Sequence, residues 1–360
     1  MRKTLTRSTP RSVIHQPSNL LVSQPDIPPA TVSILGAGSW GTALAMLLAR
    51  NGASVRLWDR DVSHIEALEK SRINERYLPG IPLPDRISPV ADLQNALSQS
   101  DFVLVVVPSG GFRETLQKIY ALQDVPEQLI WASKGLEPGT GKFLHQIVED
   151  EMPGHPAYAA LSGPSFALEV ARGLPTAVTV ASPNPAYAET VAELFHCPNF
   201  RAYTSTDLLG VELGGSVKNV LAIAAGVSDG LGYGANARAA LITRGLAEIM
   251  RLGIKLGGQR ETFMGLAGVG DLVLTCTDDQ SRNRRLGLAL GRGTTLDEAV
   301  KEIGQAIEGL KTARELHTLA IANQVDMPIT AQVKAVLYDN AQPATAVQAL
   351  LSREARAEHL

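Results

Sequence analysis

Gly36, Gly38 and Gly41 stand in the order G-x-G-x-x-G, and Lys218 lies far downstream between Gly214, Gly215 and Ala222. The glycines could bring backbone to a diphosphate, and the lysine could move a proton. Each glycine has a mechanical job. Gly36 permits the tight turn out of a strand, Gly38 lets the backbone approach a pyrophosphate, and Gly41 lets helix pack closely on strand. The helix that follows offers free N–H groups and a partial positive charge to the diphosphate. The same pattern can be an ordinary strand-to-helix turn. Strand, glycines, helix and second strand occur here in the order dinucleotide binding requires, and that order favours the ligand site.

Gly214, Gly215 and Ala222 fall one turn before and after Lys218 on one helical face, with Leu221 adjoining. A lysine among small residues can pack against another surface, lose its water and drop in pKa, which suits a general acid or base. Hydride transfer at an alcohol carbon needs such a group, because the hydroxyl proton must move too. The spacing equally suits a lysine snorkelling out of a helix contact. Lys134 follows an apolar run and could set its ammonium against an anion, or simply face solvent. Asp271, within Gly268-Val-Gly-Asp-Leu-Val-Leu-Thr275, could orient a lysine or cap the next helix. In Ser281-Arg-Asn-Arg-Arg285, Arg282 and Asn283 carry planar donors suited to phosphate oxygens, although most such clusters are solvated surface.

Asp59 stands 23 positions past Gly36 and is followed by Arg60. An acid there commonly accepts the ribose hydroxyls of NAD, whereas a nearby arginine accommodates the 2′-phosphate of NADP. The pair points both ways, so the cofactor is NAD or NADP.

These residues need a frame. Residues 31–35 and 54–59 read as strands around a helix over 42–50. A helix over 61–71 and a Pro/Gly-rich loop over 77–84 follow. The continuous apolar run 102–108 suits a strand covered on both faces of a parallel sheet. Residues 128–133, 158–163 and 176–181 extend that sheet, Pro164 suits the first turn of a helix, and another helix lies around 186–196. Alternating strands and helices imply an α/β, doubly wound, Rossmann-type parallel sheet. Ligands meet such a sheet at the carboxyl ends of its strands, where Pro108, Lys134 and Gly163-Pro-Ser165 fall. From residue 203 the pattern changes. Thr206 is a plausible N-cap, and helical periodicity runs to the end. The expected organisation is a flexible tail over 1–30, a dinucleotide-binding domain over 31–205 and an all-helical substrate and catalytic domain over 206–360.

Composition narrows the class. The chain has 360 residues, 45% hydrophobic and 19% charged, long enough for two cores. A net charge of −3 argues against a nucleic-acid partner. No run is expected to reach the length of a transmembrane helix, so membrane insertion is not anticipated. Two cysteines, Cys197 and Cys276, form no C-x-x-C pair, which suits a reducing cytoplasm. The seven histidines show no ligand-like spacing, so no metal is required. Residues 1–29 carry Arg2, Lys3, Arg7 and Arg11 with no acid before Asp26, a bias also found in transit segments. Pro10 and Pro17 interrupt any amphipathic helix there and favour a tail.

The stretches GAGSWGTALA, LVVVPS, ASKGLE, SGPSFA, GVELGGSVKNVLAIAAG, LITRGLAE, GLAGVGDLVLTCT, SRNRRLG and IEGLKT occur in that order from residue 31 to about 345. Together they resemble the bacterial NAD(P)-dependent sn-glycerol-3-phosphate dehydrogenase family. The resemblance implies reversible oxidation of sn-glycerol 3-phosphate to dihydroxyacetone phosphate, feeding glycerophospholipid synthesis in the cytoplasm, with a homodimer as the common assembly. It implies Lys218 as proton donor and acceptor, and Lys134, Gly163, Ser165, Asp271, Ser281, Arg282 and Asn283 around the substrate. Ser39, Trp40, Arg60, Lys134, Ala167, Arg282, Ala306 and Glu308 would touch the cofactor beside the glycine loop, with Asn219 and Thr275 supporting. A β-hydroxyacid dehydrogenase of the same two-domain plan is the nearest alternative, but the SRN and GPSF motifs favour phosphate over carboxylate. A non-catalytic nicotinamide-sensing module is another, and it would not need Lys218.

Overall fold

The computed structural model describes residues 30–122, 126–154 and 157–354, so the expected tail lies outside the described residues apart from Ala30. Among the described residues, the first part of the chain forms ten strands: β1 (Thr31–Leu35), β2 (Ser54–Trp58), β3 (Ile73–Asn74), β4 (Leu78–Pro82), β5 (Ile87–Val90), β6 (Phe102–Val105), β7 (Gln128–Trp131), β8 (Ala157–Ser162), β9 (Thr176–Ala181) and β10 (Phe200–Ser205). Eight of them make one sheet in the order β10-β9-β8-β7-β6-β1-β2-β5, and β3 pairs with β4 in a small hairpin. Both faces of the sheet are covered. Ile34, Leu104 and Ile130 point into one apolar cluster, while their neighbours Leu35, Val105 and Trp131 point into another. That two-sided burial is why these strands read as unbroken apolar runs.

The structure departs from the expectation in several places. It is mostly parallel, but β8 and β9 pair antiparallel and β10 runs with β9. Between β8 and β9 lies only the five-residue helix Ala167–Ala171. Five helical residues advance the chain by roughly 7–8 Å, far short of the helix that normally carries a parallel crossover back along a strand of roughly 20 Å. That helix starts after Phe166, so Pro164 sits in the turn before it rather than in its first turn. β5 and β10, the two edge strands, were not anticipated. Pro89 disguises β5, as proline does on a sheet edge, and β10 carries polar, exposed positions. The supposed loop over 77–84 contains β4.

The helical part is built around one element, Leu208–Gly230. Asp207, not Thr206, caps it: Oδ1 accepts the Gly210 N–H at 2.9 Å, and Oδ2 accepts the Gln259 N–H at 2.7 Å. By length and composition this helix could cross a membrane, contrary to the expectation that no run would, yet 94% of its apolar window is buried in the fold. Its low polarity follows from neighbours on every side, since a helix hydrophobic all round must be enclosed. Gly234–Lys255, Asp271–Thr277, Arg282–Gly291 and Glu308–Ala322 pack around it. Contact with Arg282–Gly291 is the closest: a Cβ on Gly226 would stand 2.1 Å from the Arg284 carbonyl oxygen, and one on Gly287 would stand 2.0 Å from that of Ile223.

Candidate active site

The glycine loop behaves as its spacing demands. Gly36 takes φ +119°, and a Cβ there would come within 2.6 Å of the Val106 carbonyl oxygen. A Cβ on Gly41 would lie 1.9 Å from the Gly36 carbonyl oxygen, so only glycine lets the helix Ser39–Arg50 sit so close to the end of β1. At Gly38 a Cβ would meet nothing within 4 Å, leaving open space over the helix N-terminus. Gly38 also supplies no side-chain cap, so the first N–H groups are free for an anion. Trp40 carries a buried Nε1 with no partner among the described residues. Open space, free donors and an orphaned indole N–H fit a dinucleotide diphosphate.

At the carboxyl ends of β7 and β8 the two parts of the chain meet through charge. Lys134 donates from Nζ to Asp271 Oδ2 at 2.8 Å and to the Gly163 carbonyl at 3.3 Å. Lys218 donates to Asp271 Oδ1 at 2.5 Å and to Thr275 Oγ1 at 3.2 Å. Asp271 thus joins two ammonium groups, one from the sheet and one from the long helix. It is the first residue of Asp271–Thr277, with Gly270 at the N-cap, so it orients lysines instead of capping. Glycines allow this closeness. A Cβ on Gly214 would lie 2.4 Å from the Ala267 carbonyl oxygen, and one on Gly215 would lie 2.8 Å from Ser162 Oγ.

Burial lowers the Lys218 ammonium to about 8, with the Lys134 charge helping and Asp271 opposing. Burial alone would raise the Asp271 carboxyl, but Lys134 and then Lys218 hold it below the usual carboxylate range. A desolvated lysine with a lowered pKa beside a carboxylate held ionised has the chemistry that a general acid or base requires.

A second cluster adjoins the first. Asn219, next to Lys218, donates from Nδ2 to Glu308 Oε2 at 2.9 Å and accepts from Asn283 Nδ2 at 2.9 Å. Asn283 Oδ1 accepts the Gly309 N–H at 2.9 Å. Ser281 Oγ accepts the Arg284 N–H at 3.2 Å and so caps Arg282–Gly291. Arg282 is half-buried at the first position of that helix, with no side-chain hydrogen bond or salt bridge among the described residues. The donor cluster of the sequence therefore divides: Arg284 is committed to Asp229 and Asp279, at 2.6 Å each, while Arg282 keeps its fork free.

Elsewhere, Ser165 Oγ donates to the Gly163 carbonyl at 3.0 Å, and Ser39 Oγ donates to the Tyr77 carbonyl at 2.7 Å. Ala167 opens its short helix, and Ala306 is exposed just before Glu308. Arg60 is exposed beyond the end of β2. Asp59, whose sequence position pointed to a ribose while Arg60 pointed to a 2′-phosphate, binds backbone: Oδ2 accepts the Ala37 N–H at 2.9 Å and Oδ1 accepts the Asp61 N–H at 3.1 Å. Sequence reading also missed Asn74, which reaches the same loop from the β3–β4 hairpin and has no motif to mark it.

The chain is similar to known proteins over most of its length. The family described as NAD-dependent glycerol-3-phosphate dehydrogenase matches with its N-terminal part over residues 31–188 and its C-terminal part over residues 207–348. The glycerol-3-phosphate dehydrogenase (NAD(P)+) of Thioalkalivibrio sulfidiphilus is 60% identical over 327 residues, 91% of this chain and 98% of that one. Its counterpart from Nitrosococcus oceani is 55% identical over 326 residues, 91% and 95% of the two chains. Among solved structures, the glycerol-3-phosphate dehydrogenase of Coxiella burnetii superposes with a TM-score of 0.88 at 49% identity, covering 90% of this chain and 99% of that one.

Proposed function

Since this chain belongs to the NAD-dependent glycerol-3-phosphate dehydrogenase family, we propose that it interconverts sn-glycerol 3-phosphate and dihydroxyacetone phosphate at the Lys218–Asp271–Lys134 cluster. It is an oxidoreductase acting on a secondary alcohol with NAD or NADP. The observation that carries the residue assignment is the shared carboxylate, which holds a water-poor ammonium at the rim of a dinucleotide-binding sheet.

The nicotinamide supplies or accepts the hydride when bound. Gly36, Gly38 and Gly41 with the N–H groups of Ser39 and Trp40 would hold the diphosphate, and Arg60, Lys134, Ala167, Arg282, Ala306 and Glu308 would contact the rest of the cofactor. In reduction Lys218 protonates the developing alkoxide; in oxidation it takes the hydroxyl proton. Lys134 adds positive charge where the oxyanion forms, in a site poor in water. Gly163 and Ser165 shape the substrate side. Arg282, Asn283 and the helix N-terminus capped by Ser281 grip the phosphate, so remote binding energy positions the reacting carbon. Asn219 and Thr275 keep Asn283 and Lys218 in place.

The functional division is a dinucleotide-binding domain over 31–205 and a helical catalytic domain over 206–360. The product feeds glycerophospholipid synthesis from a cytoplasmic homodimer that does not insert in membranes, and burial of the long apolar helix supports that last point. Purified protein mixed with dihydroxyacetone phosphate and either NADH or NADPH should consume the absorbance of the reduced nicotinamide. No loss with either carrier overturns the assignment.

A further inference from the structure

Ala37, the middle residue between the first two loop glycines, is held on both sides of its peptide by side chains from separate elements. Its N–H donates to Asp59 Oδ2 at 2.9 Å. Its carbonyl accepts from Asn74 Nδ2 at 2.9 Å, with His64 Nε2 at 3.3 Å. Asn74 is 1% exposed and fully committed: Nδ2 also reaches Thr42 Oγ1 at 2.7 Å, and Oδ1 accepts the Tyr77 N–H at 3.2 Å. The second oxygen of Asp59 accepts the Asp61 N–H. Asp61 in turn caps Val62–Ser71, the helix that carries His64.

Glycines on either side make the Ala37 segment loose in the absence of such ties, because glycine has the most backbone freedom to lose. Fixing both peptide planes of Ala37 fixes where the following N–H groups aim. A carboxylate presented to the ribose would discriminate against a 2′-phosphate by charge. Here both oxygens of that carboxylate point at backbone donors, and the exposed neighbour, Arg60, is cationic. We infer that Asp59, together with Asn74 and His64, is a positioning residue that sets the glycine loop for the diphosphate shared by NADH and NADPH, and that it does not choose between the two carriers.

This role rests on the cofactor site proposed above, and the measurements separate the two. Fluorescence titration of the unaltered protein comes first: failure to bind NADH and NADPH alike overturns the cofactor site, and this role with it. Steady-state kinetics of Asp59→Asn, with each carrier in turn at saturating dihydroxyacetone phosphate, then tests the role alone. KM should rise by the same factor for NADH and NADPH, about tenfold, with kcat within about twofold of the unaltered enzyme. Asn74→Ala should repeat the paired rise. A rise for NADH alone, with NADPH unchanged or improved, would make Asp59 a ribose-reading residue and overturn the proposal.

Discussion

Lys218 lies between one carboxylate and one hydroxyl, with its ammonium lowered to about 8 by burial. Ketone reduction needs the protonated form, so its rate should fall as pH rises through about 8; alcohol oxidation needs the neutral amine and should rise over the same interval. Initial rates in both directions across pH 6–10 check the sign. Removing the amine in Lys218→Ala should lower turnover by about 10²–10⁴ while cofactor affinity, read by fluorescence titration, is kept. Asp271 raises the Lys218 pKa, and Lys134 lowers it. Asp271→Asn removes the raising partner and leaves the lowering one, so the reduction limb should move to lower pH in the same rate profile. A limb that stayed in place would show that some other group titrates.

At the scale of elements, the decisive contact is the crossing of Leu208–Gly230 with Arg282–Gly291. Gly226 and Gly287 each leave the other helix's backbone where a side chain would stand. That approach brings Asn219 within 2.9 Å of Asn283. Gly287→Ala puts a methyl 2.0 Å from the Ile223 carbonyl oxygen, so the helices must part. Overpacking of this kind costs about 1–3 kcal/mol, measurable by urea unfolding. Parting also pulls Asn283 from Asn219, so KM for dihydroxyacetone phosphate should rise alongside. The same substitution at an open glycine such as Gly293, where φ is +92°, would be resisted by backbone conformation instead of by a neighbour.

For the molecule as a whole, a buried acid away from the site adds its own dependence of stability on pH. Glu248, 1% exposed on Gly234–Lys255, accepts the N–H groups of Ile329 at 2.6 Å and Thr330 at 3.2 Å, capping Pro328–Tyr338 from a neighbouring helix. Burial pushes its carboxyl up to about 7, against those hydrogen bonds. The folded chain therefore holds this proton more tightly than the unfolded chain, and the stability it contributes is lost as pH rises through about 7. Glu248→Gln removes the titration. Relative to the unaltered protein, the variant should gain stability between pH 5 and 8, by up to about 3 kcal/mol. Paired denaturant melts at the two pH values check it, and parallel curves would rule out the charged carboxylate as the cause.

Sequence alone determined what local chemistry determines. The three loop glycines, the continuous apolar strands and the small residues around Lys218 each carry their reason in neighbouring positions, because turn geometry, two-sided burial and helical spacing are short-range constraints. Edge strands β5 and β10 escaped it, since exposure on a sheet edge dilutes the apolar signal. Asp59 carried a ribose-binding signal that its position in the chain could not refine. Only the tertiary structure decided that its carboxylate faces Ala37, that Asn74 from a distant hairpin joins it, and that one carboxylate at Asp271 holds lysines from both halves. Those contacts span 22, 37, 137 and 53 positions. A side chain's choice among distant partners is settled by the packing of whole elements, and no local pattern records it.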